Sequence, residues 1–231
     1  MATVLIAGAN RGLGLEFCRQ YAAAGWEVLA CCRKPGTAQD LQALAGQFDS
    51  IEIFALDVAD FKRIDALSGE LAERRIDVLL NNAGIYGDNC KHGFGNLGYG
   101  AWTETLRINL QAPVKMTEAF LPQIGRSDRK LVVAISSLMG SIADNGSGGS
   151  LLYCSSKAGL NAAMKSLALM LEHQAIGVLI FHPGWVKTDM GGANALIEAG
   201  ESIAGMRSII NRFTLQQTGS FIKYDGTPLP W

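Results

Sequence analysis

Ala7-Gly8-Ala9-Asn10-Arg11-Gly12-Leu13-Gly14 stands between a short apolar run, Thr3 to Ala7, and an amphipathic stretch, Leu13 to Ala24, that stops at Gly25. The order reads strand, tight turn, helix. At such a junction the backbone amides and the dipole of the helix can hold a pyrophosphate, and glycines let the anion come close because they lack Cβ. The G-x-x-x-G-x-G spacing differs from the G-x-G-x-x-G fingerprint, so taken alone the stretch is equally a simple glycine turn.

Outward from this turn the pattern repeats. Trp26 to Cys31, Ile51 to Leu56, Ile76 to Leu80, Lys130 to Ser136 and Gly177 to Phe181 are further β-rich runs separated by helical segments. They are nearly continuous in apolar residues, as parallel strands covered by helices on both faces should be. Right-handed crossovers between such units predict an α/β fold, a single-domain Rossmann-type doubly wound parallel sheet of about seven strands, with ligands beyond the strands' carboxyl ends. No linker or repeat divides residues 1–231. The intervals Gly87 to Gly100 and Asn145 to Ser150 read as loops near that rim.

Composition narrows the function. Of 231 residues 48% are hydrophobic, and 20 Lys and Arg against 21 Asp and Glu leave a charge of -1, so no bulk field points to nucleic acid or an anionic membrane. Five cysteines, Cys18, Cys31, Cys32, Cys90 and Cys154, have no C-x-x-C spacing, which argues against a disulfide framework or zinc site and fits a reducing cytosol. His92, His173 and His182 are scattered, so no metal is expected. The start has no basic region of a signal peptide, and no stretch approaches the ~18 apolar residues of a membrane span, so a cytoplasmic protein is expected.

At the nucleotide end, Cys31-Cys32-Arg33-Lys34 follows the second strand, where an acid would bond the ribose 2′-hydroxyl of NAD. No acid is there; Arg33 with Arg11 could grip a 2′-phosphate instead, or both could be solvated surface residues. Asp57, with Val58 after the third strand, could accept from the adenine amino group or cap the next helix. Asn81-Asn82-Ala83-Gly84 offers short amides and a glycine where the cofactor ribose should pass, and by itself could be a turn.

At the chemical end, Tyr153 and Lys157 lie four residues apart in the helical segment Leu151 to Glu172 and face one side. Bringing a phenol from a pKa near 10 to near 7 takes about 4 kcal/mol of phenolate stabilisation, much of which a neighbouring ammonium can provide. Such a pair also occurs by chance in surface helices. Ser137, in Ser136-Ser137-Leu138-Met139-Gly140, ends the fifth strand and could bond a substrate carbonyl or cap a turn. Asn109 is awkward inside the helical segment Ala101 to Leu121, which invites a local polar role such as holding a water in a proton path. Cys154 reads as packing, and Ala162, Leu167, Leu169, Met170 and Leu171 as a core or subunit face.

The order of Gly8/Gly12/Gly14, Asn81 to Gly84, Asn109, Ser137, Tyr153/Lys157 and Pro183-Gly184 resembles the short-chain dehydrogenase/reductase family from end to end. Gly8 to Gly14, Pro183 to Gly192 and the tail Tyr224 to Trp231 are similar to Sniffer-type carbonyl reductases and C-factor-like members. The resemblance implies a catalytic tetrad of Asn109, Ser137, Tyr153 and Lys157, with Tyr153 the general acid/base, Ser137 orienting the substrate oxygen and Lys157 also binding the nicotinamide ribose. It implies an NADP(H) site built from Gly8, Asn10, Arg11, Gly12, Leu13, Gly14, Arg33, Asp57, Val58, Asn82, Ala83, Gly84, Tyr153, Lys157, Pro183, Gly184, Val186 and Thr188, with Thr188 at the nicotinamide carboxamide. The choice of Ser137 over Ser136 rests on the S-x-x-G arrangement with Gly140.

The activity expected is reduction of a small ketone or aldehyde to an alcohol, or the reverse. Residues 191–210 are expected to cover the substrate, and the helices from Ala101 and Leu151 could form a homodimer or homotetramer face. Two rivals remain at this stage: a nucleotide-binding signalling or scaffold protein of the same fold, and an NAD-linked alcohol dehydrogenase, which Arg33 disfavours.

Overall fold

A computed structural model describes residues 1–88 and 93–231; Cys90 and His92 lie outside the described residues. The glycine turn joins β1 (Thr3–Ala7) to α1 (Gly12–Ala23). There follow β2 (Glu27–Cys32), α2 (Gln39–Ala45), β3 (Ile51–Ala55), α3 (Phe61–Glu70) and β4 (Val78–Asn81). The second half runs α4 (Tyr99–Leu106), α5 (Ala112–Gly125), β5 (Leu131–Ile135), α6 (Leu151–Leu171), β6 (Gly177–His182), α7 (Ala199–Asn211) and β7 (Ser220–Lys223). All seven strands are parallel, in the order β3-β2-β1-β4-β5-β6-β7. The order reverses between β1 and β4, which opens a crevice at their carboxyl ends.

Strand periodicity divides the core in two. In β1, Val4 and Ile6 face a layer with Phe17 and Tyr21 of α1, Leu41 of α2 and Ile203 and Met206 of α7. Leu5 and Ala7 face the opposite layer, with Ile64 of α3, Phe120 of α5 and Leu160 and Met164 of α6. Every residue of β1 and β4 is buried, as the apolar runs require.

Three features depart from the segments read in the sequence. The stretch Ala101 to Leu121 is two helices separated by a π-helical turn, Arg107–Gln111. Pro113 lies at the start of α5 and has no N–H to bond the Asn109 carbonyl, so the widened turn takes up the missing bond. The edge strand β7 is four residues long, too short to show a period. Residues 199–210 of the expected covering segment belong to α7, whose Ile203, Met206 and Ile210 are core residues. Among the described residues no helix is long and apolar enough to cross a membrane.

Gly14 shows how tightly the first crossover is packed: a Cβ there would overlap the Gly8 carbonyl oxygen and lie 2.7 Å from Asn82 Nδ2. Gly69 in α3 would meet nothing within 4 Å. In urea unfolding, Gly14→Ala should lose about 2 kcal/mol or more, whereas Gly69→Ala should be neutral or gain up to about 1 kcal/mol. Equal effects of the two substitutions would contradict this packing.

Candidate active site

The glycine turn and the turn after β4 form one unit. Gly8 and Ala9 donate their amides to the Cys31 carbonyl at 2.9 Å, while Asn82 Nδ2 donates to the Gly8 carbonyl at 2.9 Å. Gly8 has φ +81°, and a Cβ on it would lie 2.8 Å from Ala83 Cα, so the two backbones are in direct contact. No side chain caps α1 at Arg11, and no acid occupies its first turn. Its leading amides beside Asn10, Gly12 and Leu13 are therefore open to an anion.

The chain after β6 returns over this turn. Gly184 has φ +85°, and Val186 is buried and bridges Ile197. Ser202 donates to the Pro183 carbonyl at 2.6 Å, and the Thr188 hydroxyl accepts from the Gly191 amide at 3.2 Å. The Thr188 methyl lies just above Gly12. Arg11 pairs with Asp189 at 2.8 Å, both well exposed, so this arginine already has an acidic partner. Arg33 is exposed just beyond β2 and has no ion-pair partner among the described residues. Asp57 accepts from the Ala59 amide at 2.9 Å beside buried Val58; the cap of α3 is Asp60, which accepts from the Arg63 amide at 3.1 Å.

Toward β5, α6 carries Tyr153 and Lys157, both buried. Lys157 Nζ donates to the Ile135 carbonyl at 2.8 Å and lies 5.6 Å from the Tyr153 ring centre. Desolvation lowers the lysine pKa to about 8. Burial pushes the phenol up to about 12, with Tyr86 and Cys154 adding to the rise and the Ser137 hydroxyl opposing it. Burial thus holds this phenol above the ordinary tyrosine range, against the sequence-based expectation that Lys157 draws it toward neutral.

Ser137 both faces this phenol and caps the turn Leu138–Gly140, accepting from the Met139 amide at 3.2 Å. Ser136 points elsewhere: its hydroxyl donates to Asn161 Oδ1 at 2.6 Å, and Asn161 Nδ2 donates to the Gly140 carbonyl at 3.2 Å. A Cβ on Gly140 would lie 2.8 Å from the Lys157 carbonyl carbon, so this turn is seated on the Lys157 backbone. Asn109, in the π-helical turn, accepts from the Ile85 amide at 2.9 Å. Its Nδ2 donates to the Ile85 carbonyl at 2.8 Å and to Ser156 Oγ at 2.9 Å. Its amide therefore pins the chain just past Gly84.

Sequence reasoning missed several neighbours. Tyr86 lies with its ring 5.0 Å from that of Tyr153, and its hydroxyl is 2.5 Å from Ser150 Oγ. Its place two residues past Gly84 was the one signal available. Asp88, from the same loop, reaches the start of α6. Half-buried His182 is lowered to about 4, chiefly by burial, and among the described residues no three His, Cys, Asp or Glu side chains converge as a metal site.

Comparison with known proteins places this geometry. The chain is 38% identical over 156 residues to the C-signal protein of Myxococcus xanthus, covering 68% of this chain and 93% of that one. Its fold superposes on the carbonyl reductase Sniffer of D. melanogaster with a TM-score of 0.93 at 33% identity over the full length of both. The NADPH-bound carbonyl reductase from chicken fatty liver gives a TM-score of 0.92 at 32% identity, covering 100% of this chain and 99% of that one. The short chain dehydrogenase family model matches residues 2–196, which include the glycine turn, Tyr153 and Lys157. With that match on a parallel sheet of this order, the chain belongs to the short chain dehydrogenase family of oxidoreductases.

Proposed function

We propose that this protein reduces ketone or aldehyde carbonyls to alcohols with NADPH, using Tyr153 as the general acid. The observation that carries this reading is the buried Tyr153 phenol at the carboxyl edge of β5, within hydrogen-bonding reach of Ser137 and with its ring 5.6 Å from Lys157 Nζ. A reductive step consumes a proton at the carbonyl oxygen, and a group that keeps its proton at neutral pH can deliver it.

The residues present fit the cofactor. The uncapped start of α1 suits a pyrophosphate, with Gly8, Asn10, Gly12, Leu13 and Gly14 around it. Unpaired Arg33 suits a 2′-phosphate, and Arg11 would join it by leaving Asp189, a surface pair worth at most about 1 kcal/mol. Asp57 and Val58 would hold adenine; Asn82, Ala83, Gly84 and Lys157 would line the ribose; Pro183, Gly184, Val186 and Thr188 would hold the nicotinamide end. The NADPH-bound chicken reductase supports this choice. When bound, NADPH supplies hydride to the carbonyl carbon.

The chain's own groups do the rest. The Ser137 hydroxyl donates to the carbonyl oxygen and fixes its position, and Tyr153 passes its proton to that oxygen as negative charge builds on it. The Lys157 ammonium, anchored at Ile135, stabilises the phenolate left behind. Asn109 holds Ile85, keeping the chain beside Tyr153 in place. Ser136, bonded to Asn161 below the site, is a supporting residue.

The rim at the ends of β5 and β6 exposes Met139, Ile142, Trp185, Met190 and Leu196, which suits apolar carbonyl compounds. Within residues 191–210 the part free to cover such a substrate precedes α7. A second reading, a nucleotide-binding signalling protein, is favoured by the identity to the protein named C-signal; in that case loss of Tyr153 leaves the cellular role intact.

Tyr153→Phe should lower kcat for NADPH-dependent reduction of 4-nitrobenzaldehyde by about 100-fold or more with NADPH affinity retained. Near-parental turnover would end this mechanism. Arg33→Asp should weaken NADPH binding roughly 10- to 100-fold while leaving NADH nearly unchanged, as read by fluorescence titration. Equal losses for both nucleotides would refute the phosphate site.

A further inference from the structure

The helix that carries Tyr153 begins in an unusual way. Gly148, Gly149 and Ser150 have φ of +65°, +74° and +41°, three successive left-handed residues directly before Leu151. Ser150 occupies the N-cap position but makes no capping bond, and its hydroxyl meets that of Tyr86. An effective N-cap is ordinarily extended, so that its side chain turns back onto the amides of the first helical turn. The local chain therefore provides no cap for a turn whose third residue is Tyr153.

The cap comes from Asp88, 65 residues upstream of Tyr153. Asp88 Oδ1 accepts from the Leu152 amide at 3.1 Å and Oδ2 from the Tyr153 amide at 2.8 Å. Both carboxylate oxygens thus satisfy orphan amides, with the negative charge at the positive end of a helix of 21 residues. Asp88 is itself held. Asn109 binds both backbone groups of Ile85, and Gly87, at φ +80°, is packed so closely on Thr105 that a Cβ would overlap the threonine hydroxyl. Between these anchors Tyr86 is laid against the Tyr153 ring.

We propose that Asp88 is a positioning residue for the reaction: its two hydrogen bonds fix the first turn of α6 and so place the Tyr153 hydroxyl relative to Ser137. The proposal rests on the reading of Tyr153 as the acid. Lys157 stands one turn further along, secured independently by the Ile135 carbonyl and by the Gly140 turn against its backbone. Loosening the first turn would therefore disturb proton delivery and leave nucleotide binding alone.

The test uses the full chain with Asp88→Ala and Asp88→Asn, assayed for 4-nitrobenzaldehyde reduction, NADPH affinity and thermal melting. Thr214→Ala, which breaks a capping box at Leu215–Gln217 remote from the site, serves as the control for lost capping alone. Asp88→Ala should lower kcat about tenfold or more, since sub-ångström misplacement of a reacting group is costly. Asp88→Asn, whose amide oxygen can accept one of the two bonds, should fall between Asp88→Ala and the parent. NADPH affinity should stay within about twofold of the parent in both, and Thr214→Ala should keep its kcat. A parental kcat in Asp88→Asn and Asp88→Ala, or parallel losses of kcat and NADPH affinity, overturns the proposal; should Asp88→Ala fail to fold, Asp88→Asn decides alone. If Tyr153→Phe is also active, the reading of Tyr153 itself has failed, whereas an inactive Tyr153→Phe beside fully active Asp88 variants sinks only the role of Asp88.

Discussion

Backbone contact between two turns, one after β1 and one after β4, is the constraint on which the rest of the site depends. Gly8 can rest on Ala83 because it has no Cβ to collide with it, and Asn82 closes the contact by bonding the Gly8 carbonyl. The contact exists because β4 lies beside β1 in the sheet, at the point where the strand order reverses. From there one branch leads to the open amides of α1 and the other, through Ile85 to Asp88, to the helix bearing Tyr153 and Lys157.

Burial dominates the electrostatics of this site. Lys157 is buried with a backbone carbonyl for a partner and, among the described residues, no paired carboxylate, and burial lowers its pKa to about 8. Tyr153 is buried beside it and its phenol is pushed up to about 12, holding its proton more tightly than a free tyrosine. Burial disfavours the charged form of each, which makes the neutral phenol the resident state and a transient phenolate–ammonium pair the state reached when the proton leaves. On the proposed reading, a buried pair of this kind has little water to reorganise when the proton passes to the oxygen that Ser137 positions.

Much of the fold was legible because parallel strands buried on both faces leave uninterrupted apolar runs, and such runs alternate with helical segments along the chain. Helical spacing set Tyr153 and Lys157 on one side of α6, and the structure buries both there, whereas a role for the pair came only from the family resemblance. Asn109 was visible as a misfit, but its partner Ile85 was not, since Pro113 and the π-helical turn it imposes decide where that amide points. Partnerships that span the chain left no local trace: Arg11 with Asp189, Ser136 with Asn161, and Asp88 with the start of α6. Within the segment from Gly191 onward the sequence did not separate the stretch before α7 from α7 itself, whose small and apolar residues pack on α1 with Ile203 and Met206 fully buried.

Hydride and proton must meet on one carbonyl group for this site to work as described, and the hydride can be followed directly. The protein would be supplied with NADPH deuterated at C4, each configuration in turn, together with 4-nitrobenzaldehyde, and the alcohol formed would be analysed by mass spectrometry. Deuterium on the carbinol carbon from one of the two labelled forms is the expected result. NADPH that binds but yields no labelled alcohol, from this or a broad set of apolar carbonyl compounds, would contradict a carbonyl-reducing site.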